Sequence, residues 1–297
     1  MKVLITGSTG QLGRSLVGVL SPLADVVETT RDELDLSLPD QIGETVDQIR
    51  PDLIVNAAAY TRVDDAETDR DVALRINCDA PGLLGTAAGR IGAAVLHFST
   101  DYVFDGESLR PYREDDEARP LNVYGRTKLD GEQALSQSGA PYLILRLSWL
   151  YSGKGNNFFN TILKLSQERE QLDVVEDQIG APTSTDVVAN AVAAILGQGG
   201  DSPYEMFSEK GGFYHLACLG STSWKGFAEE IVRKAKSAGM PVKTREIRGI
   251  TSKEYPSPVR RPKNSRLDTS LIQGEFGLRF ADWKSAVSDV FESLHWL

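Results

Sequence analysis

The chain has few of the residues from which metal centres, disulfides and membrane spans are built. Its 297 residues include two cysteines, Cys78 and Cys218, without CxxC spacing, and three scattered histidines, His97, His215 and His295. This pattern predicts neither a disulfide framework nor a zinc cluster. No apolar run approaches the roughly 18 residues of a membrane helix, and the amino terminus lacks the long apolar region of a signal peptide. We therefore expect a cytoplasmic protein without a membrane partner.

Positive charge is also in short supply. Lys and Arg number 32 against 42 Asp and Glu, which gives a formal net charge of −10. Such a surface repels the phosphates of nucleic acids and anionic lipids, so we expect a small-molecule partner and no nucleic acid. The hydrophobic fraction of 41% and the charged fraction of 25% are ordinary for a globular protein.

Short apolar segments alternate with longer helical patterns through the first half of the chain, which is typical of βαβ units. We predict an α/β fold with a Rossmann-type doubly wound parallel sheet and a smaller, interleaved C-terminal α/β substrate domain. The predicted strands are 3–6, 25–29, 53–56, 94–99, 142–147, 172–175 and 214–217, and the predicted helices are 11–20, 39–49, 77–90, 123–136, 158–167, 186–196 and 224–238. The NAD(P)-binding domain is predicted to span 1–148, with 169–200 returning to it, and the substrate domain to span 149–168 and 201–297.

A glycine-rich turn follows the first predicted strand. Gly7, Gly10 and Gly13 have GxxGxxG spacing and open the first predicted helix. Glycines allow a tight turn and let a pyrophosphate approach the N–H groups at a helix N-terminus, where the helix dipole favours negative charge. Because the strand precedes and the helix follows, this turn predicts a dinucleotide site.

The end of the second predicted strand bears on the choice of cofactor. An acidic side chain there binds the ribose of NAD, whereas an arginine accommodates the 2′-phosphate of NADP. Arg31 and its neighbouring hydroxyl residues Thr29 and Thr30 favour NADPH, with NADH possible, and Asp35 either meets the adenine or caps a turn.

A second group of residues could move a proton. Tyr124 and Lys128 are four residues apart and so share one face of the predicted helix, and Thr100 follows a predicted strand. An ammonium beside a phenol favours the phenolate, so we expect Lys128 to lower the pKa of Tyr124. The Thr100 hydroxyl would hold the substrate oxygen against that phenol.

Longer matches extend this pattern along the whole chain. They comprise residues 7–13, 55–64, 99–105, 120–132, 146–149, 153–158, 177–183 and 261–268. In these segments the chain resembles the extended short-chain dehydrogenases/reductases, and among them the dTDP-4-dehydrorhamnose reductase family. The resemblance implies NAD(P)H-dependent reduction of the C4 ketone of dTDP-4-dehydro-L-rhamnose to dTDP-L-rhamnose, for cell-surface polysaccharide.

The resemblance also implies roles for individual residues. Tyr124 would protonate the C4 oxygen, Lys128 would hold the nicotinamide ribose, and Thr100 would orient the carbonyl. The expected cofactor-binding residues are Gly7, Gly10, Gln11, Leu12, Gly13, Arg31, Asp35, Leu36, Ala58, Ala59, Tyr60, Thr61, Phe98, Tyr124 and Lys128. The expected substrate-binding residues are Thr100, Asp101, Trp149, Lys154, Asn156, Asn157, Gln178, Arg261 and Arg266.

Two other functions are compatible with the same fold. A nucleotide-sugar dehydratase or epimerase of this type would carry Thr-Asp-Glu, whereas this chain has Tyr102 in the third position, which favours reduction. A regulatory subunit of methionine adenosyltransferase has a related fold, but the complete set of reactive residues favours an enzyme. Some relatives dimerise through acidic residues that share a divalent metal, and the matching position here is Ser15. Bound Mg²⁺, and the choice between monomer and homodimer, therefore stay open.

Overall fold

The fold is built on a central parallel sheet of six strands. The computed structural model describes residues 1–198, 200 and 202–294. The sheet has the order β10-β5-β4-β3-β1-β2, and every pairing within it is parallel. Its strands are β1 (Lys2–Thr6), β2 (Asp25–Thr29), β3 (Leu53–Asn56), β4 (Ala94–Thr100), β5 (Tyr142–Leu147) and β10 (Gly212–Leu216). The predicted doubly wound fold is confirmed.

Six further strands form three two-stranded pairs outside this sheet. They are β6 (Leu150–Tyr151), β7 (Gln171–Val175), β8 (Ile179–Gly180), β9 (Thr183–Ser184), β11 (Thr222–Ser223) and β12 (Glu246–Ile250). The pairs are β6 with β9, β7 with β12, and β8 with β11.

The helices lie between the strands. They are α1 (Gln11–Leu20), α2 (Pro39–Ile49), α3 (Arg70–Leu74), α4 (Ala80–Ile91), α5 (Val123–Ser136), α6 (Phe158–Glu168), α7 (Thr185–Leu196), α8 (Pro203–Lys210), α9 (Trp224–Ser237), α10 (Ser270–Phe276) and α11 (Trp283–Leu294). A π-helical turn at Arg75–Asp79 joins α3 to α4, so the predicted helix 77–90 begins earlier and is irregular at its start.

Apolar side chains cover both faces of the central sheet. Along β4 every residue is buried, as expected for a strand covered on both sides. One core cluster joins the sheet to α1, α7 and α10, and another joins its opposite face to α2 and α4. The point where the strand order reverses lies between β1 and β3, and open α/β sheets bind ligands at the carboxyl ends of such strands.

A third large core cluster belongs to the region that carries α6, α9 and α11. Its largest members are aromatic, including Phe159, Phe227, Trp283 and Phe291. This cluster lies outside the central sheet, so the aromatic side chains provide a second hydrophobic core.

One predicted strand was assigned to the wrong sheet. Residues 172–175 were expected to re-enter the central sheet, but β7 pairs with β12 in a separate parallel ladder. The sixth central strand is β10, which pairs with β5 and corresponds to the predicted strand 214–217. Strand pairing depends on partners distant in sequence, and the pattern of one strand does not identify them. Helix α7, by contrast, does return to the first part of the chain as expected, because it packs on α1. The domain boundaries stay a prediction.

Two further observations concern the scarce residues. Cys78 and Cys218 are both free. Within the described residues, no helix combines the length and the apolar character needed to cross a membrane. His295 lies outside the described residues.

Candidate active site

A cleft of about 1120 Å³ runs along the carboxyl ends of β1, β3 and β4. Twenty of the residues expected to bind cofactor or substrate line it: Gly7, Gly10, Gln11, Leu12, Arg31, Asp35, Leu36, Ala58, Ala59, Tyr60, Thr61, Phe98, Thr100, Asp101, Tyr124, Lys128, Trp149, Asn156, Asn157 and Arg261. The structure therefore brings together segments that are up to about 250 residues apart in sequence.

The glycine turn forms one end of this cleft. Gly7 has φ +66°, and a Cβ atom there would lie 2.9 Å from both Cα and N of Ala58. A Cβ on Gly13 would overlap the Gly7 carbonyl oxygen, so Gly13 serves the close packing of the turn and does not line the cleft. Gly10 is the N-cap of α1 and offers no side-chain hydrogen bond to its first turn. The free N–H groups there are available to an anion, so this end fits a dinucleotide pyrophosphate.

Arg31 lies just beyond β2 on the same side of the cleft. Its Nε lies 3.3 Å from Asp35 Oδ2, and the Arg31 side chain is 75% exposed. Asp35 also accepts hydrogen bonds from the backbone N–H and hydroxyl of Ser37, and these bonds help to hold its pKa below the ordinary value although burial opposes them. Such an exposed ion pair is weak, so the Arg31 guanidinium can turn to a phosphate group.

Thr100, Tyr124 and Lys128 meet in the middle of the cleft. Thr100 is the last residue of β4, and Tyr124 and Lys128 lie in the first two turns of α5. The helix begins where Asn122 accepts a hydrogen bond from the Gly125 N–H, at 2.8 Å. This cap fixes the start of α5 and thus the height of Tyr124 above the sheet.

Thr100 and the neighbouring Asp101 form a buried polar pair. The Thr100 hydroxyl donates to Asp101 Oδ1 at 3.0 Å and accepts from the Tyr102 N–H at 3.2 Å. Burial raises the pKa of Asp101 to about 6, against the lowering effect of hydrogen bonds from Ser265 and Thr100. Near neutral pH Asp101 can therefore exchange a proton with a ligand.

The expected effect of Lys128 on Tyr124 is not found. Burial raises the pKa of Tyr124 to about 12, while the Thr100 hydroxyl lowers it and the Asp101 charge raises it further. Desolvation of the phenolate is the largest of these influences, and Lys128 is not among them. The prediction of a lowered pKa was wrong, and Tyr124 is a protonated phenol at neutral pH. A proton donor needs that form.

Lys128 is 2% exposed. Its Nζ donates to the Phe98 carbonyl oxygen at 2.6 Å and lies 3.1 Å from His97 Nε2. Burial lowers the pKa of Lys128 to about 8, although the Glu132 carboxylate raises it. The ammonium is thus held in place from the sheet side.

Two stacked indoles form the far end of the cleft. The rings of Trp149 and Trp224 are 3.6 Å apart and nearly parallel, at 7°. Trp149 has φ +47°, which is unusual for a residue with a side chain. Gly180 lies against its ring, and a Cβ at that position would overlap the indole. Trp224 donates its Nε1–H to Gln178 Oε1 at 3.0 Å. This wall is flat and rigid, as expected of a surface that stacks on a base or a sugar.

Arg261 reaches the cleft from the loop between β12 and α10. Its Nη2 lies 2.9 and 3.0 Å from the two carboxylate oxygens of Asp64. The Nε atom of Arg261 is buried and has no hydrogen-bond partner among the described residues. A buried donor without a partner favours an anionic ligand.

Three expected substrate residues do not line the cleft. Lys154 lines a separate cavity of about 280 Å³ beside the cofactor end. Gln178 lies behind Trp224 and donates to the Ser252 hydroxyl. Arg266 donates to the Leu109 carbonyl oxygen and to Asn264. The polar groups of Gln178 and Arg266 are therefore already hydrogen-bonded to other parts of the protein. A direct role in substrate binding stays a prediction for all three residues.

Three residues of the site were not predicted from the sequence, and a fourth, Tyr102, was considered only as the replacement for a dehydratase glutamate. Tyr102 packs edge-on against Tyr124, with ring centroids 5.5 Å apart. Trp224, Asp64 and His97 contact Trp149, Arg261 and Lys128 respectively. Their signal in the sequence was weak, because each acts through a residue on another element. Trp224 alone stood out, as an aromatic residue at the start of a predicted helix.

The fold and the cleft define a class of protein, the nucleotide-dependent α/β oxidoreductases with a Tyr-x-x-x-Lys site. The model of one family, described as the RmlD substrate binding domain, matches residues 1–296. The chain belongs to this family, and the predicted resemblance is confirmed.

Individual relatives agree with the family match. A dTDP-4-dehydrorhamnose reductase of Escherichia coli K12 is 42% identical over 298 residues, covering 99% of this chain and 98% of that protein. A crystal structure of such a reductase from Clostridium acetobutylicum has a TM-score of 0.91 at 35% identity, covering 99% of this chain and all of that one. A Bacillus anthracis reductase, solved with NADP, has a TM-score of 0.87 at 33% identity, covering 98% and 99%.

Proposed function

We propose that the protein reduces the C4 ketone of dTDP-4-dehydro-L-rhamnose to dTDP-L-rhamnose with NADPH. The relatives described above are named for this activity, and this chain matches them over nearly their full length. The observation in the structure that carries the proposal is the convergence of Thr100, Tyr124 and Lys128 in one cleft with the glycine turn. When bound, the reduced nicotinamide supplies the hydride.

The protein's own residues would supply the proton and the orientation. Tyr124 is protonated at neutral pH and can donate its phenol hydrogen to the oxygen at C4 as negative charge develops there. The buried Lys128 ammonium stabilises the phenolate that results, in a site where solvent does not screen it. The Thr100 hydroxyl holds the same oxygen in line with Tyr124.

Reduction is favoured over dehydration by the residue beside this group. A dehydratase needs a carboxylate to remove a proton next to the ketone. Tyr102 occupies the matching position, and burial raises the pKa of its phenol further above the ordinary value. A buried neutral phenol is a poor base, which supports simple reduction.

The nucleotide half of the substrate would lie towards the substrate end of the cleft, where Trp149, Trp224 and Arg261 meet. The indole pair can stack on a flat ring, and Arg261 can pair with phosphate. NADPH is preferred over NADH in this proposal, because the Arg31 guanidinium is suited to the 2′-phosphate that NADH lacks.

The setting of the protein is part of the same proposal. We infer a cytoplasmic enzyme, supported by its two free cysteines, which suit a reducing compartment. Its partner would be a small nucleotide sugar. The oligomeric state, monomer or homodimer, would be measured by sedimentation of the purified protein.

The direct test is loss of NADPH absorbance on addition of dTDP-4-dehydro-L-rhamnose. We expect turnover in the wild type and a roughly 10²- to 10⁴-fold lower kcat in Tyr124→Phe, which removes one oxygen atom. A panel of dTDP- and GDP-linked 4-keto sugars, each with NADPH and NADH, tests the choice of substrate. No turnover with any of them, or undiminished turnover in Tyr124→Phe, would sink the assignment.

A further inference from the structure

A buried histidine lies directly behind the lysine of the proposed reaction. His97 is on β4, next to Phe98, and its side chain is 1% exposed. Its Nε2 atom lies 3.1 Å from Lys128 Nζ, and Nζ donates its other protein hydrogen bond to the Phe98 carbonyl. If the ammonium also donates to His97, two of its three hydrogens meet β4 and one remains for the cleft that Lys128 lines.

The imidazole of His97 is neutral. Burial holds the pKa of His97 well below its ordinary value, and the nearby Lys128 charge lowers it further. A neutral imidazole has one donor nitrogen and one acceptor nitrogen. If Nε2 accepts a hydrogen bond from the Lys128 ammonium, the proton of the ring must be on Nδ1, which then needs an acceptor of its own.

Asn56 is in position to be that acceptor. Its amide nitrogen Nδ2 lies 3.1 Å from His97 Nδ1, and its Oδ1 accepts from the Thr6 hydroxyl at 2.7 Å; a rotation of the amide by 180° exchanges these two atoms. The two orientations of an amide fill the same space, and a hydroxyl can donate or accept. With the amide oxygen towards His97, every hydrogen bond runs in one direction, from Lys128 through His97 and Asn56 to Thr6.

The opposite direction has a different meaning. With the amide nitrogen towards Nδ1, the ring proton moves to Nε2, and Lys128 would have to accept it as a neutral amine. The hydrogen-bond chain therefore links the charge of Lys128 to the tautomer of a residue that never touches the substrate. All four side chains are buried, so water does not replace these bonds.

We propose that His97 is a positioning residue, which through its Nε2 acceptor, fixed by Asn56 and Thr6, holds the Lys128 ammonium charged and oriented for proton transfer by Tyr124. This inference rests on the proposed reduction. It adds a specific requirement for an acceptor behind Lys128.

The tautomer can be measured without any assay of activity. Long-range ¹H–¹⁵N spectra of the protein labelled in its three histidines distinguish a proton on Nδ1 from one on Nε2. The His97 signals are assigned by their loss in His97→Gln. We expect a neutral ring with the proton on Nδ1 at pH 7. A proton on Nε2, or a charged ring, would overturn the proposal even if the enzyme proved to act on another substrate.

Kinetics test the consequence for the reaction. In His97→Leu the acceptor is lost, and we expect kcat to fall roughly 10- to 100-fold, with KM for the sugar within about twofold. In His97→Gln the side-chain oxygen can accept from Nζ, and we expect kcat to return to within about fivefold of the wild type. A matched control is His215→Leu, because His215 is equally buried and bonds to the Tyr112 carbonyl away from the cleft.

The two variants also separate positioning from packing. Equal losses of kcat in His97→Leu and His97→Gln, together with equal falls in melting temperature, would show a packing role and refute the proposal. An unchanged kcat in His97→Leu would refute it as well. If the wild type oxidises no NADPH with any 4-keto sugar, the proposed function has failed, and the tautomer measurement still decides the role of His97.

Discussion

The two ends of the cleft are built by different means. At the cofactor end the ligand would meet backbone, namely the turn at Gly7 and the free N–H groups that follow Gly10. At the substrate end it would meet side chains, chiefly Trp149, Trp224 and Arg261, which come from three distant segments. The first end is one continuous motif, and the second exists only in the folded chain.

This difference has a physical consequence. Backbone donors cannot be exchanged by substitution, so the pyrophosphate contacts of the cofactor end change only when the turn itself is distorted. Side chains can be replaced one at a time, so the substrate end can be adapted to another sugar or nucleotide while the sheet stays intact. The proton-transfer group lies between them, on β4 and α5. Substitutions at each end should therefore separate cofactor affinity from sugar affinity.

The largest effect is expected for Gly7→Ala. At φ +66° an alanine is strained, and its Cβ would be forced against the backbone of Ala58. The turn must shift, which moves the N–H groups away from the pyrophosphate. We expect the Kd for NADPH, measured by its fluorescence, to rise roughly 100-fold, with about 1–3 kcal/mol lower stability.

The matched control for this change is Gly18→Ala. Gly18 lies in α1, the helix that follows the turn, and a Cβ there would meet no neighbouring atom within 4 Å. Alanine should stabilise the helix by up to about 1 kcal/mol and leave NADPH binding unchanged. If the two alanines had the same effect on Kd, the cofactor end would not depend on the geometry of the turn.

The second-largest effect is an effect on stability, and it is expected at Asp101, which lies between the two ends of the cleft. The folded pKa of this carboxyl is raised to about 6, so the folded state binds its proton more tightly than the unfolded state does. The ionised carboxylate therefore destabilises the fold above about pH 6, and the penalty disappears as the pH falls towards 4. Asp101→Asn should be more stable than the wild type by about 2 kcal/mol at pH 8, and by less at pH 5. Urea unfolding at both pH values measures the difference. Lower stability of the variant at pH 8 would contradict a buried charge.

The same contrast explains what the sequence could predict. The turn at Gly7 is local, and so are the spacing of Tyr124 and Lys128 and the alternation of strands and helices; all of them were predicted, and the fold class was confirmed. Local geometry is encoded in residues that are close in sequence.

What the sequence did not predict depends on distant contacts. The pairing of β7 with β12, the stack of Trp224 on Trp149 and the bond between His97 and Lys128 each join separate segments. The raised pKa of Tyr124 was missed for the same reason, because it comes chiefly from burial, and burial is a property of the whole fold. The helix α8 was also not predicted.

The substrate end is tested by Trp224→Ala. Loss of the stacked indole leaves Trp149 without its neighbour at 3.6 Å. An aromatic contact is worth about 0.5–1.5 kcal/mol beyond its buried area, so we expect KM for the sugar nucleotide to rise roughly tenfold. The Kd for NADPH should not change. Trp224→Phe keeps a ring but loses the hydrogen bond to Gln178, and it should show a smaller rise. A rise in the NADPH Kd of Trp224→Ala would mean that the two ends are not independent.

The smallest effect is expected for Arg31→Ala, which tests a side-chain contact at the cofactor end. The guanidinium is 75% exposed and forms an ion pair with Asp35. Solvent, salt and this ion pair therefore weaken its attraction for a 2′-phosphate. We expect the Kd for NADPH to rise about 3- to 10-fold and the Kd for NADH to stay the same, so that the ratio of the two constants reports the phosphate contact alone. Titration at low and high salt provides the control, because the difference between wild type and variant should shrink as salt increases. Equal losses for both cofactors would instead place Arg31 in the support of the turn, and the preference for NADPH would then have to come from another residue.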